Sequence, residues 1–327
     1  MLQESMLQTP GPAFVQANPP CPAWRAPDVI ARGQWEISLG QEAIDEFFEE
    51  YRRGAFDSTS TSKPLIAPER TPKLKELSLS LRRKLLFGDG FARIKQAENI
   101  RLSAPQQRAL FLRLGTLMGR VMTEYGQLYP VHDRGIDYKE QAAPVSMTTS
   151  ETGMHTDSSA VGALPDFVGL LCEEPSLEGG DSLISNALTI YHDLKGSHPE
   201  IIDLLENNFI RDVVTPGASK SLESLLLNTF PIYSPGRHGE GSTFRYMRYW
   251  IEKGAERAGL SLKPEQYEAF NRLDEALNSP ENQIKLRLDR GDILLANNRT
   301  LAHGRTGYSD RPGHRRQLQR IWVDLGR

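Results

Sequence analysis

The chain has little cysteine. Two occur in 327 residues, Cys21 in a Pro-rich stretch and Cys172 in an apolar run. That setting argues against a disulfide and for a reducing compartment. Nowhere does an apolar run reach the length of a membrane span. The first residues show neither the basic region nor the apolar core of a signal peptide, so a cytoplasmic protein is expected. An excess of positive charge is also missing: Lys and Arg number 39 against 42 Asp and Glu, a net charge of −3. That balance excludes nucleic acid as the main partner and leaves a small molecule. What is present is ordinary for a globule, 39% hydrophobic and 25% charged residues. The length suits one large domain or two.

Residues 1–33 are rich in Pro, Gln and Ala and read as a poorly ordered or surface-draped leader. Trp24, after the Pro19-Pro20-Cys21-Pro22 stretch within it, is either pinned to the body or part of a mobile arm. Residues 34–327 read as a single domain. Ile44, Phe47, Phe48 and Tyr51 recur at helical spacing, predicting a helix over 41–53, and a second follows over 72–86. Ser103 is the expected N-cap of a third helix with apolar residues as far as Val121. Strands are expected over 90–95, 167–172, 181–186, 285–288, 292–296 and 317–324. A helix begins at Ala187 and continues after Pro199. Residues 206–285 form a long mixed insert, read as strands over 209–214, 230–233 and 243–249 and a helix over 264–277. Trp250, Tyr249 and Trp322 are assigned to packing. The expected class is mainly β with flanking helices.

The chemistry gathers at Met154-His155-Thr156-Asp157 and Ala302-His303-Gly304-Arg305. In extended chain, residues i and i+2 point to the same side, so His155 and Asp157 can reach one metal together. His303 is the best candidate for a third ligand. Two imidazoles and a carboxylate occupy one face of an octahedron and leave the other open, as non-haem iron(II) oxygenases need. Alone, His-x-Asp is a weak signal, because an ordinary core or surface histidine produces it by chance. His132, beside Asp133, reads as a surface or substrate-loop histidine.

Three further features sharpen the pattern. Gly179-Gly180-Asp181-Ser182 brings Ser182 25 residues after Asp157, Gly291-Asp292 opens the run into Asn298-Arg299 and His303, and Arg315-Arg316 precedes Arg320 on a late strand. In this order the chain resembles the taurine dioxygenase superfamily, and within it the clavaminate synthase-like group, over roughly residues 90–325. The resemblance implies a double-stranded β-helix, or jelly-roll, core with N-terminal helices and the insert lying over the active site. It implies Fe(II) held by His155, Asp157 and His303, with 2-oxoglutarate and O2 as co-substrates. The distal carboxylate of 2-oxoglutarate would meet Arg316, or Arg315 beside it, and the hydroxyl of Ser182, unless Ser182 is an ordinary strand serine. Arg320 would hold an anionic group of the substrate, or else form an ion pair in the barrel wall. Glu151 would touch the substrate or stay solvated. Arg299, Gly304 and Arg305 would support the ligands and the turn.

The implied activity is hydroxylation of an unactivated C–H bond in a small amino-acid-like or natural-product substrate, with release of succinate and CO2. Desaturation and cyclisation stay open, whereas Asp157 argues against halogenation, since related halogenases lack that carboxylate. Two other classes also remain: a non-catalytic metal- or ligand-binding protein on the same fold, and a zinc hydrolase that would leave Arg316 and Ser182 without a task.

Overall fold

Burial is nearly continuous along the longest strands, so each is covered on both sides. Along 317–324, Leu318 and Trp322 face one apolar cluster while Ile321 and Val323 face another. Phe167 and Leu171 likewise point away from Val168 and Cys172. A strand with two buried faces must lie between two layers.

The computed structural model describes residues 22–53, 70–95, 101–135, 145–213, 219–234 and 242–326. Its core strands are β1 (Glu36–Ser38), β2 (Phe91–Lys95), β3 (Arg120–Val121), β4 (Tyr129–Val131), β5 (Thr152–His155), β6 (Phe167–Glu174), β7 (Ser182–Asn186), β8 (Gln283–Leu286), β9 (Ile293–Asn297), β10 (Leu301–Arg305) and β11 (Gln317–Asp324). The larger sheet runs β1-β2-β9-β6-β11-β3, with β4 also paired to β11. The smaller runs β8-β7-β10-β5. Apart from the parallel β1–β2 pair, the pairings within these two sheets are antiparallel. The two sheets face each other across Phe91, Val168, Ile184, Ile284, Leu294, Leu301 and Trp322. This is the jelly-roll core.

Helices close both outer faces. Leu110, Phe111 and Leu114 of helix Ala104–Met118 pack on the larger sheet, backed by Leu81 and Leu85 of Pro72–Phe87 and by Phe47 of Gln41–Arg52. Gln106 starts the first of these by accepting the Ser103 N–H at 2.8 Å. On the smaller sheet, Met154, Leu183 and Ala302 meet Ile190 and the insert's Phe270, Leu273 and Leu277. Each sheet therefore spends its outer residues on helices and its inner ones on the core and cavity.

Several expectations change. Ala26–Arg32 is a helix with Val29 fully buried, inside the stretch read as a leader. Trp24 is pinned rather than mobile: its peptide N–H donates to Thr189 Oγ1 at 2.8 Å and its indole N–H to the Asp89 carbonyl at 2.8 Å. Residues 1–21, and with them Cys21, lie outside the described residues. The Ser103 helix ends at Met118, and Val121 belongs to β3. In the insert, the strand expected over 243–249 is only Thr243–Phe244, and Tyr249 and Trp250 fall in helix Arg248–Arg257. The strand expected over 209–214 is only Phe209–Ile210, and residue 214 lies outside the described chain. Over 230–233, Thr229–Phe230 and Tyr233–Ser234 are separate short strands. Leu222–Leu227 forms a helix too short to announce itself by periodicity.

The layers meet closely at Gly169 of β6. A Cβ built there would lie 2.9 Å from Ile321 Cγ1, 3.0 Å from Leu295 Cδ2 and 3.1 Å from Phe111 Cε2. Gly169→Ala overpacks that contact and is expected to cost about 1–3 kcal/mol. Urea unfolding of variant and wild type measures it.

Candidate metal centre and anion pocket

β10 lies antiparallel between β7 and β5, and its register sets His303 directly opposite His155. The two imidazole centroids are 4.4 Å apart. Asp157 follows just beyond β5, where the chain turns away from the sheet. There Thr156 donates its N–H to Tyr246 O at 2.7 Å, tying the segment to the insert. The side chain of Asn298, fully buried, holds the Asp157 backbone from both sides. Its Oδ1 accepts the Asp157 N–H at 2.7 Å, and its Nδ2 donates to Asp157 O at 3.1 Å and Pro165 O at 3.2 Å. Ser158 comes next in the left-handed region, at φ 75°. It is the single non-glycine residue of that kind among the described residues, and such conformations persist where the surroundings impose them.

Asp157 Oδ1 stands 3.7 Å from His155 Nε2 and 3.6 Å from His303 Nε2. One ligand atom from each residue can be chosen so that all lie within 4.8 Å of one another. His155 Nδ1 is engaged by Gly153 O at 2.8 Å, which leaves Nε2 for a metal. Burial opposes the charge on Asp157, but Arg320 and the two imidazoles outweigh it and hold the carboxyl well below its usual range. Burial, with repulsion from His155, lowers the His303 pKa. An ionised carboxylate and a neutral imidazole are the states a divalent metal requires. The donor set therefore fits iron.

A second cluster lies at the other end of the cavity. Arg316 and Arg305 are both buried, at 4% and 7% exposure, and both approach the Tyr308 ring, at 5.1 and 4.7 Å. Arg305 pairs in register with Ser182 of β7, and Ser182 lines the cavity with both arginines. Arg316 Nη1, Arg305 Nε and Tyr308 Oη are buried without a hydrogen-bond partner. Asp310 does not neutralise Arg316: its carboxylate accepts the Arg316 peptide N–H, at 3.0 Å to each oxygen. Arg305 Nη2 donates to the carbonyls of Thr148, at 3.0 Å, and Ser150. Burial, then repulsion from Arg316, lowers the Arg305 pKa to about 10, and burial lowers that of Arg316. Gly180 makes room for this cluster, since a Cβ there would sit 2.5 Å from Ser176 Oγ and 3.0 Å from Arg316 Nε. Buried cationic donors without partners are costly, and a carboxylate arriving between them would relieve that cost. The pocket therefore fits the distal carboxylate of a 2-oxo diacid.

One cavity of about 130 Å³ joins the two clusters. His155, Asp157, His303, Ser182, Arg316 and Arg320 all line it, with Gly304 and Arg305, so the candidate metal ligands and anion contacts come together. Glu151 does not: it is exposed and no part of the lining. Arg315 is exposed too, whereas Arg316, beside it just before β11, is buried and lines the cavity. Trp322 was assigned to packing, yet its indole N–H donates to Asp157 Oδ2 at 2.6 Å. Trp250, also assigned to packing, and Met247 bring the insert to the cavity wall. Parity could have flagged Trp322, which lies two residues beyond Arg320 on one strand face. Gly304 must be small: a Cβ there would lie 2.8 Å from Thr152 O, in the neighbouring strand of the ligand pair. Arg299 pairs with the buried Asp166 at 2.5 Å.

This donor set on a double-stranded β-helix defines a class, the 2-oxoglutarate-dependent non-haem iron dioxygenases. Residues 59–322 match the taurine catabolism dioxygenase TauD, TfdA family, and the chain belongs to it. Fe(II) and 2-oxoglutarate are its cofactor and co-substrate. FR-33289 synthase of Streptomyces rubellomurinus is 22% identical over 320 residues, 92% of this chain and 88% of that one. Among solved structures, asparagine oxygenase in complex with Fe(II), 2S,3S-3-hydroxyasparagine and succinate is similar, with a TM-score of 0.64 at 18% identity over 88% of this chain and 93% of that one. Non-heme iron oxygenase OrfP in complex with Fe and alpha-ketoglutaric acid gives 0.61 at 16% identity, over 88% and 93%.

The Asn298 clamp gives a direct test. Asn298→Ala leaves the Asp157 N–H and two carbonyls buried and unpaired, at about 1–3 kcal/mol for each group that water does not reach. A urea midpoint shift and weakened Co(II) binding, followed by titration calorimetry, are the expected outcomes.

Proposed function

We propose that His155, Asp157 and His303 hold Fe(II), and that Arg316 and Ser182, with Arg305 and Tyr308 beside them, hold the distal carboxylate of 2-oxoglutarate. The single observation that carries this reading is the pair of unpartnered N–H groups on Arg316 and Arg305, which line the same cavity as the three ligands. A zinc hydrolase has no use for two dry guanidiniums there. With Fe(II), 2-oxoglutarate and O2 bound, the group supplies the oxidation: one oxygen atom goes into the substrate C–H bond and the other into succinate, with loss of CO2. The chain's own residues bind, orient and exclude water. Arg316 can grip a carboxylate through two parallel N–H groups, a geometry lysine lacks. Met247 and Trp250 from the insert, with Val168 and Leu170 from β6, wall off solvent with apolar surface.

The substrate we propose is a small amino-acid-like or natural-product molecule with an anionic end, hydroxylated at an unactivated carbon. Arg305, Arg316 and Arg320 line the cavity against a single carboxylate, Asp157, so the excess charge favours an anion. Arg320 Nη1 is turned to Asp157, while no hydrogen bond from a described residue engages its Nε or Nη2. Those two groups are the anion's candidate donors. Ser146, Thr152, Ser158 and Ser159 supply hydroxyls for the remaining polar atoms. The hydroxylated asparagine in the similar oxygenase and the (3S)-hydroxy-L-Arg bound by OrfP support an amino-acid-like molecule. Residues 34–327 act as one domain in this reading, in the cytoplasm, with the insert 206–285 forming the cavity's outer wall.

The test is Fe(II)- and 2-oxoglutarate-dependent succinate formation across a panel of amino acids and their esters. Free carboxylates are expected to stimulate it and the esters to fail. Arg316→Ala should raise KM for 2-oxoglutarate about 10- to 100-fold, the effect of losing a charge-assisted pair, while Fe(II) binding is kept. Turnover with zinc and without 2-oxoglutarate would contradict the reading.

A further inference from the structure

Asp157 presents two unlike oxygens. Oδ1 faces both imidazoles, and Oδ2 receives the Trp322 indole N–H at 2.6 Å. We propose that Trp322 is a positioning residue for Asp157, and that it occupies the outer oxygen so that only Oδ1 is offered to the metal. The inference rests on the metal-centre reading above.

The indole is held too firmly to follow a carboxylate that turns. Trp322 is 6% exposed and pairs in register with Val168 of β6. Its carbonyl accepts the Met122 N–H at 2.9 Å. The Tyr125 ring meets it edge-on at 5.0 Å, and Tyr125 in turn packs against Tyr129 at 5.2 Å. The Arg320 guanidinium lies 5.0 Å over the indole while its Nη1 stands 3.2 Å from each carboxylate oxygen. A buried indole N–H needs an acceptor, and among its hydrogen bonds here that acceptor is Oδ2. The Asn298 clamp fixes the backbone of Asp157, so backbone and outer oxygen are both held and rotation of the carboxylate is resisted.

The consequence concerns the number of positions left for reactants. A carboxylate that used both oxygens would take an extra coordination position on the open face. With Oδ2 engaged by a rigid donor, Asp157 contributes one oxygen, and the open face keeps the positions that co-substrate and O2 require. Arg320 does not achieve this: its Nη1 stands 3.2 Å from each oxygen but donates its hydrogen bond to Oδ1, which leaves Oδ2 to the indole.

Trp322→Phe keeps an aromatic ring, smaller than the indole, and removes the donor. Co(II) is the probe, read by calorimetry and by its visible absorption, with no turnover required. The variant is expected to bind Co(II) about 10- to 100-fold more weakly than wild type and with an altered spectrum, the usual scale for a lost partner of a metal ligand. Equal affinity and an identical spectrum would overturn the inference alone. No Co(II) binding by the wild type would overturn the metal-centre reading and this inference with it. Should Trp322→Phe fail to fold, tryptophan labelled with nitrogen-15 decides the matter in the full chain. Four tryptophans give four indole signals. One of them is expected to shift between wild type and Asp157→Asn, and no movement of any signal would overturn the proposal.

Discussion

Everything at this site depends on one strand register. β10 lies between β7 and β5 so that His303 stands opposite both His155 and Ile184. Side chains alternate along a strand, so a slip of one residue would turn His303 outward toward the insert helices and leave His155 without a partner. The same register sets Arg305 opposite Ser182, so one pairing aligns the metal end and the anion end of the cavity. Gly304 lets β10 approach β5 closely between them, and the irregularity between His303 and Arg305 lies at the same place.

Around that register the molecule holds features that stability alone would remove. Two guanidiniums are buried side by side with unpaired N–H groups, a carboxylate is nearly 95% buried, and Ser158 takes a left-handed backbone. A binding site tolerates such features because its ligands complete them. The surrounding structure is correspondingly firm: apolar clusters lie between the sheets and outside each of them, and the Asn298 side chain braces Asp157. Excess positive charge in the cavity links both halves of the account, since it favours an anionic co-substrate and an anionic substrate alike.

Much of this could be read from the sequence. His155, Asp157 and His303 were legible because metal chemistry restricts both residue type and spacing. Arg316 was preferred to Arg315 by the two-residue period of a strand, and the structure buries the first and exposes the second. The jelly roll came from the order of motifs, which local propensity cannot supply. What stayed hidden was short or long-range. Ala26–Arg32 and Leu222–Leu227 have too few turns for a helical period to emerge. In the stretch 243–249, Phe244 and Tyr246 alternate as in a strand, and that pattern overlaps the start of helix Arg248–Arg257. The indole of Trp322 meets a carboxylate 165 residues away in the chain, and no local pattern encodes such a contact. For Glu151 the sequence left two readings, substrate contact or a solvated loop carboxylate, and the structure has it exposed just before β5.

The central claim is that one cavity holds iron through His155, Asp157 and His303 and holds 2-oxoglutarate through Arg316. Anaerobic addition of Fe(II), then 2-oxoglutarate, followed by visible spectroscopy, tests it most directly, because chelation of a 2-oxo acid to iron produces a weak charge-transfer band. The account predicts that band in wild type, its loss in His155→Ala at any 2-oxoglutarate concentration, and its recovery in Arg316→Ala only at much higher 2-oxoglutarate. A wild type that binds Fe(II) but gives no band at saturating 2-oxoglutarate would contradict it.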